Sequence, residues 1–277
     1  MGKADFKKCA ALISSATGLL VTAGAGMGVD SGLPDFRGSE GFWNHYPALG
    51  NRGMGFTDIA NPAAFRANPE LAWGFYGHRL NLYREAIPHR GFEILREIGG
   101  NMPDGMFVFT SNVDGQFQKA GFDPRNICEV HGSIHFLQCM DNCTGDIWPA
   151  VDFQPNIDNR NCLLLSPLPR CHGCGGIARP NILMFDDWEW NEQRVASQQQ
   201  EMGDWLERVA RPVVIELGAG TAIPSVRMMG ARTGAPMIRI NPREPAVGQP
   251  GSIGLAVTAL EGMLGILQAL QELDRLG

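Results

Sequence analysis

Gly18-Leu-Leu-Val-Thr-Ala-Gly-Ala-Gly-Met-Gly-Val-Asp-Ser-Gly-Leu-Pro-Asp-Phe-Arg-Gly38 is the stretch on which the fold turns. It opens as a short, β-prone apolar run and passes straight into glycines at 24, 26 and 28, the pattern of a strand feeding a nucleotide-binding loop. Glycines so placed let the backbone approach a pyrophosphate and turn N–H groups toward it. A glycine-rich turn without a ligand explains three glycines equally well. The sequel shifts the balance, because Pro34-Asp35-Phe36-Arg37 sets an acid, an aromatic ring and a guanidinium side by side with no apolar period to assign them to a core.

Three later runs repeat the theme: Met106-Phe-Val-Phe-Thr-Ser-Asn112, Pro212-Val-Val-Ile-Glu-Leu-Gly218 and Pro236-Met-Ile-Arg-Ile-Asn241. Strands separated by helix-length segments predict an α/β fold with a doubly wound, parallel, Rossmann-like sheet, whose ligands sit at the carboxyl ends of the strands. Between Asn61 and Arg96, apolar residues recur at helical spacing, with Asn-Pro at 61 and 68 marking helix starts, so a helical insertion is expected there. Leu255 to Leu276 has amphipathic helical spacing, with Gly262 and Gly265 as weak points.

The 277 residues are enough to bury a substantial core. With 23 Lys and Arg against 29 Asp and Glu, the net charge of −6 offers no broad field for nucleic acid or anionic lipid. No window reaches the roughly 20 apolar residues of a membrane span. Seven cysteines, an odd number, fit a reducing, cytoplasmic setting better than disulfides. No nucleic-acid or membrane partner is therefore expected. The oligomeric state is not legible.

From Leu137 to Pro180 the apolar period fades, and something other than a core is expected to hold the segment. Cys139-Met-Asp-Asn-Cys143 and Cys171-His-Gly-Cys174 lie there, separated by 27 residues, and two such pairs suit a tetrahedral zinc held by four thiolates. His172 is an alternative ligand to one thiolate. A closed four-cysteine site is structural rather than catalytic. The expected organisation is a Rossmann-like domain from residues 1–38, 86–135 and 181–277, a helical insertion at 39–85, and a small zinc-binding domain at 136–180.

Thr110-Ser-Asn-Val-Asp-Gly115 ends the second predicted strand, and Val130-His-Gly-Ser133 follows, with His131 nineteen positions beyond Asn112. Singly, each reads as a turn or a structural histidine. Together with the glycine loop they resemble the sirtuin family, which carries Gly-Ile-Pro-Asp-Phe-Arg, then Thr-Gln-Asn-Ile-Asp-Gly, then His-Gly. The resemblance extends over residues 15 to 265. It implies an NAD-dependent protein deacylase with His131 and Asn112 as catalytic residues. It implies NAD contacts from Gly24, Ala25, Gly28, Asp35, Phe36, Arg37, Ser111, Asn112, Asp114, Gly218, Gly220, Asn241 and Leu255. Cys139, Cys143, Cys171 and Cys174 fall where that family holds its structural zinc. Departures are Gly28 and Val29 in place of small hydroxyl residues, Ser111 for Gln, Asp186 for Gly, and Gly-Ala-Gly at 218–220 where the family has Gly-Thr-Ser.

Trp73-Gly-Phe-Tyr-Gly-His-Arg79 resembles the Trp-x-Phe-Tyr-x-x-Arg of the sirtuin subgroup that removes succinyl, malonyl or glutaryl groups. By that resemblance Tyr76 and Arg79, three apart on one helix face, bind the acyl carboxylate, Arg79 by a bidentate contact and Tyr76 by its hydroxyl. A packing role for both is the plainer alternative. The implied products are free lysine, nicotinamide and O-acyl-ADP-ribose, with a neutral His131 taking a proton from a ribose hydroxyl. The rival readings are an ADP-ribosyltransferase or NAD hydrolase on the same fold, and an NAD or ADP-ribose sensor without turnover.

Overall fold

A computed structural model of the chain describes residues 3–35 and 38–275. Helix α1 (Lys3–Ser15) leads into β1 (Gly18–Ala23), after which come α2 (Gly38–His45), α3 (Pro47–Gly50), α4 (Phe56–Ile59), α5 (Pro62–Ala67) and α6 (Pro69–Glu85). Then follow α7 (Arg90–Gly100), β2 (Met106–Thr110), α8 (Gln116–Lys119) and β3 (Ile127–Glu129). Five strands come next: β4 (Gly132–Cys139), β5 (Ile147–Pro149), β6 (Ile157–Asp158), β7 (Leu163–Leu164) and β8 (Ala178–Ile182). The chain closes with α9 (Gln193–Arg208), β9 (Pro212–Leu217), α10 (Ser225–Arg232), β10 (Met237–Ile240), β11 (Ile253–Leu255) and α11 (Ala259–Asp274).

Six strands form one parallel sheet in the order β11-β10-β9-β1-β2-β3. The order reverses between β1 and β9, which makes that junction the topological switch point of a doubly wound sheet. β1 is buried along its whole length, and its alternation shows why. Leu19, Val21 and Ala23 join the core beneath α1, α7 and α11, whereas Leu20 joins the core beneath α9 and α10. A strand covered on both faces must read as continuously apolar, as this one does. β3 and β11, three residues each, complete the edges; neither is long enough to show a period in the sequence.

The predicted helix starts at the Asn-Pro pairs are present. Asn61 Oδ1 accepts from the Ala63 N–H at 2.8 Å and Asn68 Oδ1 from the Leu71 N–H at 3.0 Å, with proline in the first turn of each helix. The tail differs from its expected outline. Leu255 ends β11, and the helix begins at Ala259 behind a Thr258/Glu261 capping box. Gly262 and Gly265 are not weak points but contact points: a Cβ at Gly262 would stand 2.7 Å from Ile240 Cγ2, and one at Gly265 would stand 2.4 Å from the Phe6 ring.

The segment from Leu137 to Pro180 does have a core, contrary to the fading period. Leu137, Met140, Ala150, Cys162, Leu164 and Ala178 share one apolar cluster with Phe65 of α5 and Trp73, Phe75, Tyr76 and Leu80 of α6. Its periodicity is invisible because the strands are short and irregular and their apolar partners lie far away in sequence. Helix α6 makes room for it. A Cβ at Gly74 would lie 2.0 Å from the Cys162 carbonyl oxygen, and one at Gly77 would meet Ile157 and Pro155 at 2.8 and 2.9 Å. Trp73 Nε1 donates to the Ala178 carbonyl at 2.9 Å across the same interface.

Gly74→Ala therefore drives a methyl group into backbone rather than into a yielding side chain, and should lower stability by about 3 kcal/mol. The same exchange at Gly100, where a Cβ meets nothing, should change little. Paired denaturant titrations of the two variants check this, and equal midpoints would contradict the interlock.

Candidate active site

A cleft of about 680 Å³ opens at the carboxyl ends of β1, β2 and β9, above the switch point. The turns after β1 and β9 supply Gly24, Ala25, Leu33, Pro34 and Asp35 and residues 218–223 to its wall, while Ser111, Asn112, Val113, Asp114 and His131 form its floor. The opposite side comes from Phe56, Ala60, Tyr76, Arg79, Tyr83 and residues 182–185.

The glycine loop works differently from its expected manner. The Gly24 N–H donates to Leu217, that of Gly26 to Gly218, and that of Gly28 to Ala25. These donors hold the loop in place rather than facing a pyrophosphate. The glycines are needed because two backbones touch. A Cβ at Gly24 would lie 2.9 Å from Ala219 Cα, and one at Gly26 would lie 2.7 Å from Gly218 Cα. Gly218 itself sits at φ 60, the left-handed region. Gly28 packs against Leu33 and does not reach the cleft. Farther along, His89 Nε2 bonds the Met27 carbonyl at 3.0 Å, and Asp30 caps the Leu260 N–H at 2.8 Å, so α7 and α11 both pin this loop.

The β2 end is stapled to the β1 end. Thr110 Oγ1 donates to the Ala23 carbonyl at 3.0 Å and accepts from the Asn112 N–H at 3.0 Å, while Asn112 Nδ2 donates to the Gly24 carbonyl at 3.0 Å. His131 follows β3 on the neighbouring strand and its carbonyl accepts from Leu183. Burial lowers its pKa from the ordinary imidazole range, partly offset by a backbone hydrogen bond at Ser111, so the ring is neutral at pH 7. Asp114 Oδ1 accepts from the Gln116 N–H at 3.0 Å, yet burial pushes the carboxyl up to about 6, with the Glu129 charge adding to the rise and Arg79 opposing it.

Arg79 and all three tyrosines of the sequence converge. The Tyr83 hydroxyl accepts from Arg79 Nε at 2.9 Å and Nη2 at 2.6 Å, and the guanidinium carbon lies 5.3, 5.9 and 5.4 Å from the ring centres of Phe75, Tyr76 and Tyr83. Tyr46 bonds His78 Nδ1 at 2.9 Å beside them. The side-on edge of the guanidinium, expected to take a carboxylate, is thus engaged by Tyr83. Sequence reasoning passed over Tyr83, although it stands seven after Tyr76 and four after Arg79 and so shares their helix face.

Other expected residues fall elsewhere. Asn241 is buried outside the cleft, donating to the Ala219 carbonyl at 2.9 Å and accepting from the Arg243 and Glu244 N–H groups, so it shapes the turn instead of lining it. Leu255 is enclosed within the sheet, paired with Ile240. Phe36 and Arg37 lie outside the described residues. Glu244, unremarked in the sequence, does line the cleft, bonded to Thr221 at 3.0 Å and to Arg227 at 2.9 Å. Asp186 stands at φ 53, the backbone region where a glycine would rest without strain, and accepts from Asn61 Nδ2 at 3.3 Å.

Away from the cleft, Sγ atoms of Cys139, Cys143, Cys171 and Cys174 all lie within 4.8 Å of one another, with Cys139–Cys174 at 3.6 Å and Cys143–Cys171 at 3.5 Å. Tetrahedral zinc with bonds of about 2.3 Å requires sulfurs about 3.8 Å apart, so the donor set fits. His172 is not among the four; its ring packs on Trp148 at 5.2 Å.

A cleft at the switch point of a doubly wound sheet, faced by helices and by a cysteine-bearing segment, is the architecture of an α/β protein of the nucleotide-binding type. The chain belongs to the Sir2 family, whose model matches residues 24–209. A relative from Aquifex aeolicus (strain VF5), named NAD-dependent protein deacylase, is 27% identical over 256 residues, covering 92% of this chain and 95% of its own. Sirtuin-5 of Canis lupus familiaris, an NAD-dependent protein deacylase of mitochondria, is 31% identical over 66% of this chain and 60% of its own. A Sir2 homologue solved with NAD is 25% identical, with TM-score 0.72 over 96% of this chain and 94% of that one.

An ionised Asp114 is held in the folded state at a cost. Its carboxyl titrates at about 6 when folded and about 3.9 when unfolded, so the folded state binds the extra proton between those values and stability falls as pH rises through that window. Asp114→Asn should raise stability at pH 7 by roughly 2 kcal/mol and give no gain at about pH 4. Urea unfolding at the two pH values measures this; a gain of equal size at both would refute it.

Proposed function

We propose that this protein is an NAD-dependent protein-lysine deacylase that acts on acidic acyl groups such as succinyl or malonyl, with acetyl as a second substrate. The observation that carries this reading is that one cleft holds Asn112 and His131 together with Tyr76 and Arg79. A sensor has no use for a neutral buried imidazole, and a hydrolase has no use for a guanidinium at the acyl end.

NAD supplies an electrophilic ribose carbon and nicotinamide as leaving group. The wall formed by Gly24, Ala25, Asp35, Gly218 and Gly220 would take the dinucleotide. Asn112, tied to the Gly24 carbonyl, would present its remaining amide oxygen beside the ribose, and Ser111 and Asp114 would border the nicotinamide end. His131, uncharged at pH 7, would accept a proton from a ribose hydroxyl. Arg79 would meet the negative end of the acyl chain in a setting where burial strengthens charge recognition. Leu183 and Phe185 would flank the lysine, and their N–H groups are already given to His131 and Ala60, so a bound peptide would donate to this segment rather than accept from it.

Mass spectrometry with NAD and acetyl-, succinyl- or unmodified-lysine peptides tests the reading. Nicotinamide release should require an acylated peptide and yield O-acyl-ADP-ribose; release without peptide would favour hydrolysis, and none would favour sensing. His131→Ala should lower kcat by at least about a hundredfold while the protein still binds NAD. Arg79→Met should raise KM for succinyl-lysine much more than for acetyl-lysine, and equal losses on both would remove Arg79 from acyl selection.

A further inference from the structure

We propose that Tyr83 is a specificity-determining residue of the acyl pocket: its hydroxyl, held by the Arg79 guanidinium, donates its proton to the carboxylate of an acidic acyl chain. This rests on the acidic-acyl reading above and adds to it a residue and a direction of hydrogen bonding.

Three observations support it. First, the Tyr83 oxygen accepts from both Nε and Nη2 of Arg79, at 2.9 and 2.6 Å. A phenol that accepts two N–H groups has one remaining function, its single O–H proton. No acceptor among the described residues takes that proton. Second, Tyr83 lines the cleft beside Tyr76, Arg79 and Asp114, so an O–H that no described residue accepts borders the cleft. Third, donation from a cation into the oxygen polarises the O–H bond, which makes Tyr83 a stronger donor than an isolated phenol. Burial keeps the phenol protonated, in agreement with a donor role. The guanidinium charge is thereby delivered to the ligand through a directed hydroxyl. A neutral acetyl methyl has no use for such a donor; a carboxylate does.

The experiment compares kcat/KM for succinyl- and acetyl-lysine versions of one peptide in the wild type, Tyr83→Phe and Arg79→Met. The ratio of the two constants is independent of the fraction of enzyme that is folded, so partial misfolding of a variant does not blur it. Tyr83→Phe keeps the ring and should lower the succinyl-to-acetyl ratio roughly tenfold or more, with the loss in KM for the succinyl peptide rather than in kcat. An unchanged ratio in Tyr83→Phe, with a fall in Arg79→Met, would overturn the role of Tyr83 and leave the acidic-acyl reading intact. A proportionate loss on both peptides would reduce Tyr83 to a structural support and equally overturn the proposal. A wild type indifferent to the acyl charge, with Arg79→Met also indifferent, would overturn both together.

Discussion

At the switch point of the sheet, the turn after β1 and the turn after β9 approach until a Cβ at Gly24, Gly26 or Gly218 would strike the opposite backbone. Gly24 and Gly26 lie against Gly218 and Ala219 at distances no Cβ tolerates. That contact fixes the height at which the two loops part, and hence where the cleft begins. Asn112 bonds the same loop from the β2 side, so a residue that lines the cleft is also a strut. His131 enters on the adjacent strand, which the parallel register places beside Thr110. The site is assembled from strand ends, and the sheet holds those ends at fixed spacing.

The other wall depends on a different lock. Arg179 and Asp187 form a fully buried, two-pronged ion pair with both contacts at 2.7 Å. The carboxylate also takes the Met184 N–H at 3.3 Å, so the pair ties β8 to the segment that borders the cleft. Removing one partner of such a pair leaves a buried charge and costs about 3–5 kcal/mol. The cysteine cluster sits at the far end of β4 and β8, whose near end reaches His131 and Ile182. Its influence on the cleft therefore passes through these two strands and the Arg179–Asp187 pair, with no chemistry required of the metal.

The parallel sheet was legible because buried strands cannot avoid being apolar, and the helix starts because Asn-Pro pairs satisfy free N–H groups in only one way. The four zinc-site cysteines were legible from spacing. What stayed hidden was tertiary. The core of residues 137–180 is borrowed from α6, and no local period records a borrowed partner. The glycines at 24 and 26 were seen for the right place and the wrong reason, since a close backbone contact and an open phosphate cradle ask for the same residue. Asn241 and Leu255 followed from family likeness alone, and their side chains face inward. Tyr83 was missed although its helical offset was available; a tyrosine on a buried face reads as packing until its hydroxyl is seen to hold an arginine.

The gathering of Tyr46, Tyr76 and Tyr83 around one arginine leaves the remainder of the protein without a phenol. Any spectroscopic label introduced through tyrosine, such as a ring-fluorinated or isotope-enriched amino acid fed during expression, reports from the surroundings of Arg79 alone. The six tryptophans are spread along the chain and can serve as a separate channel for global unfolding. The composition has thus given the molecule a built-in local probe, by which changes around Arg79 can be followed without altering a single residue.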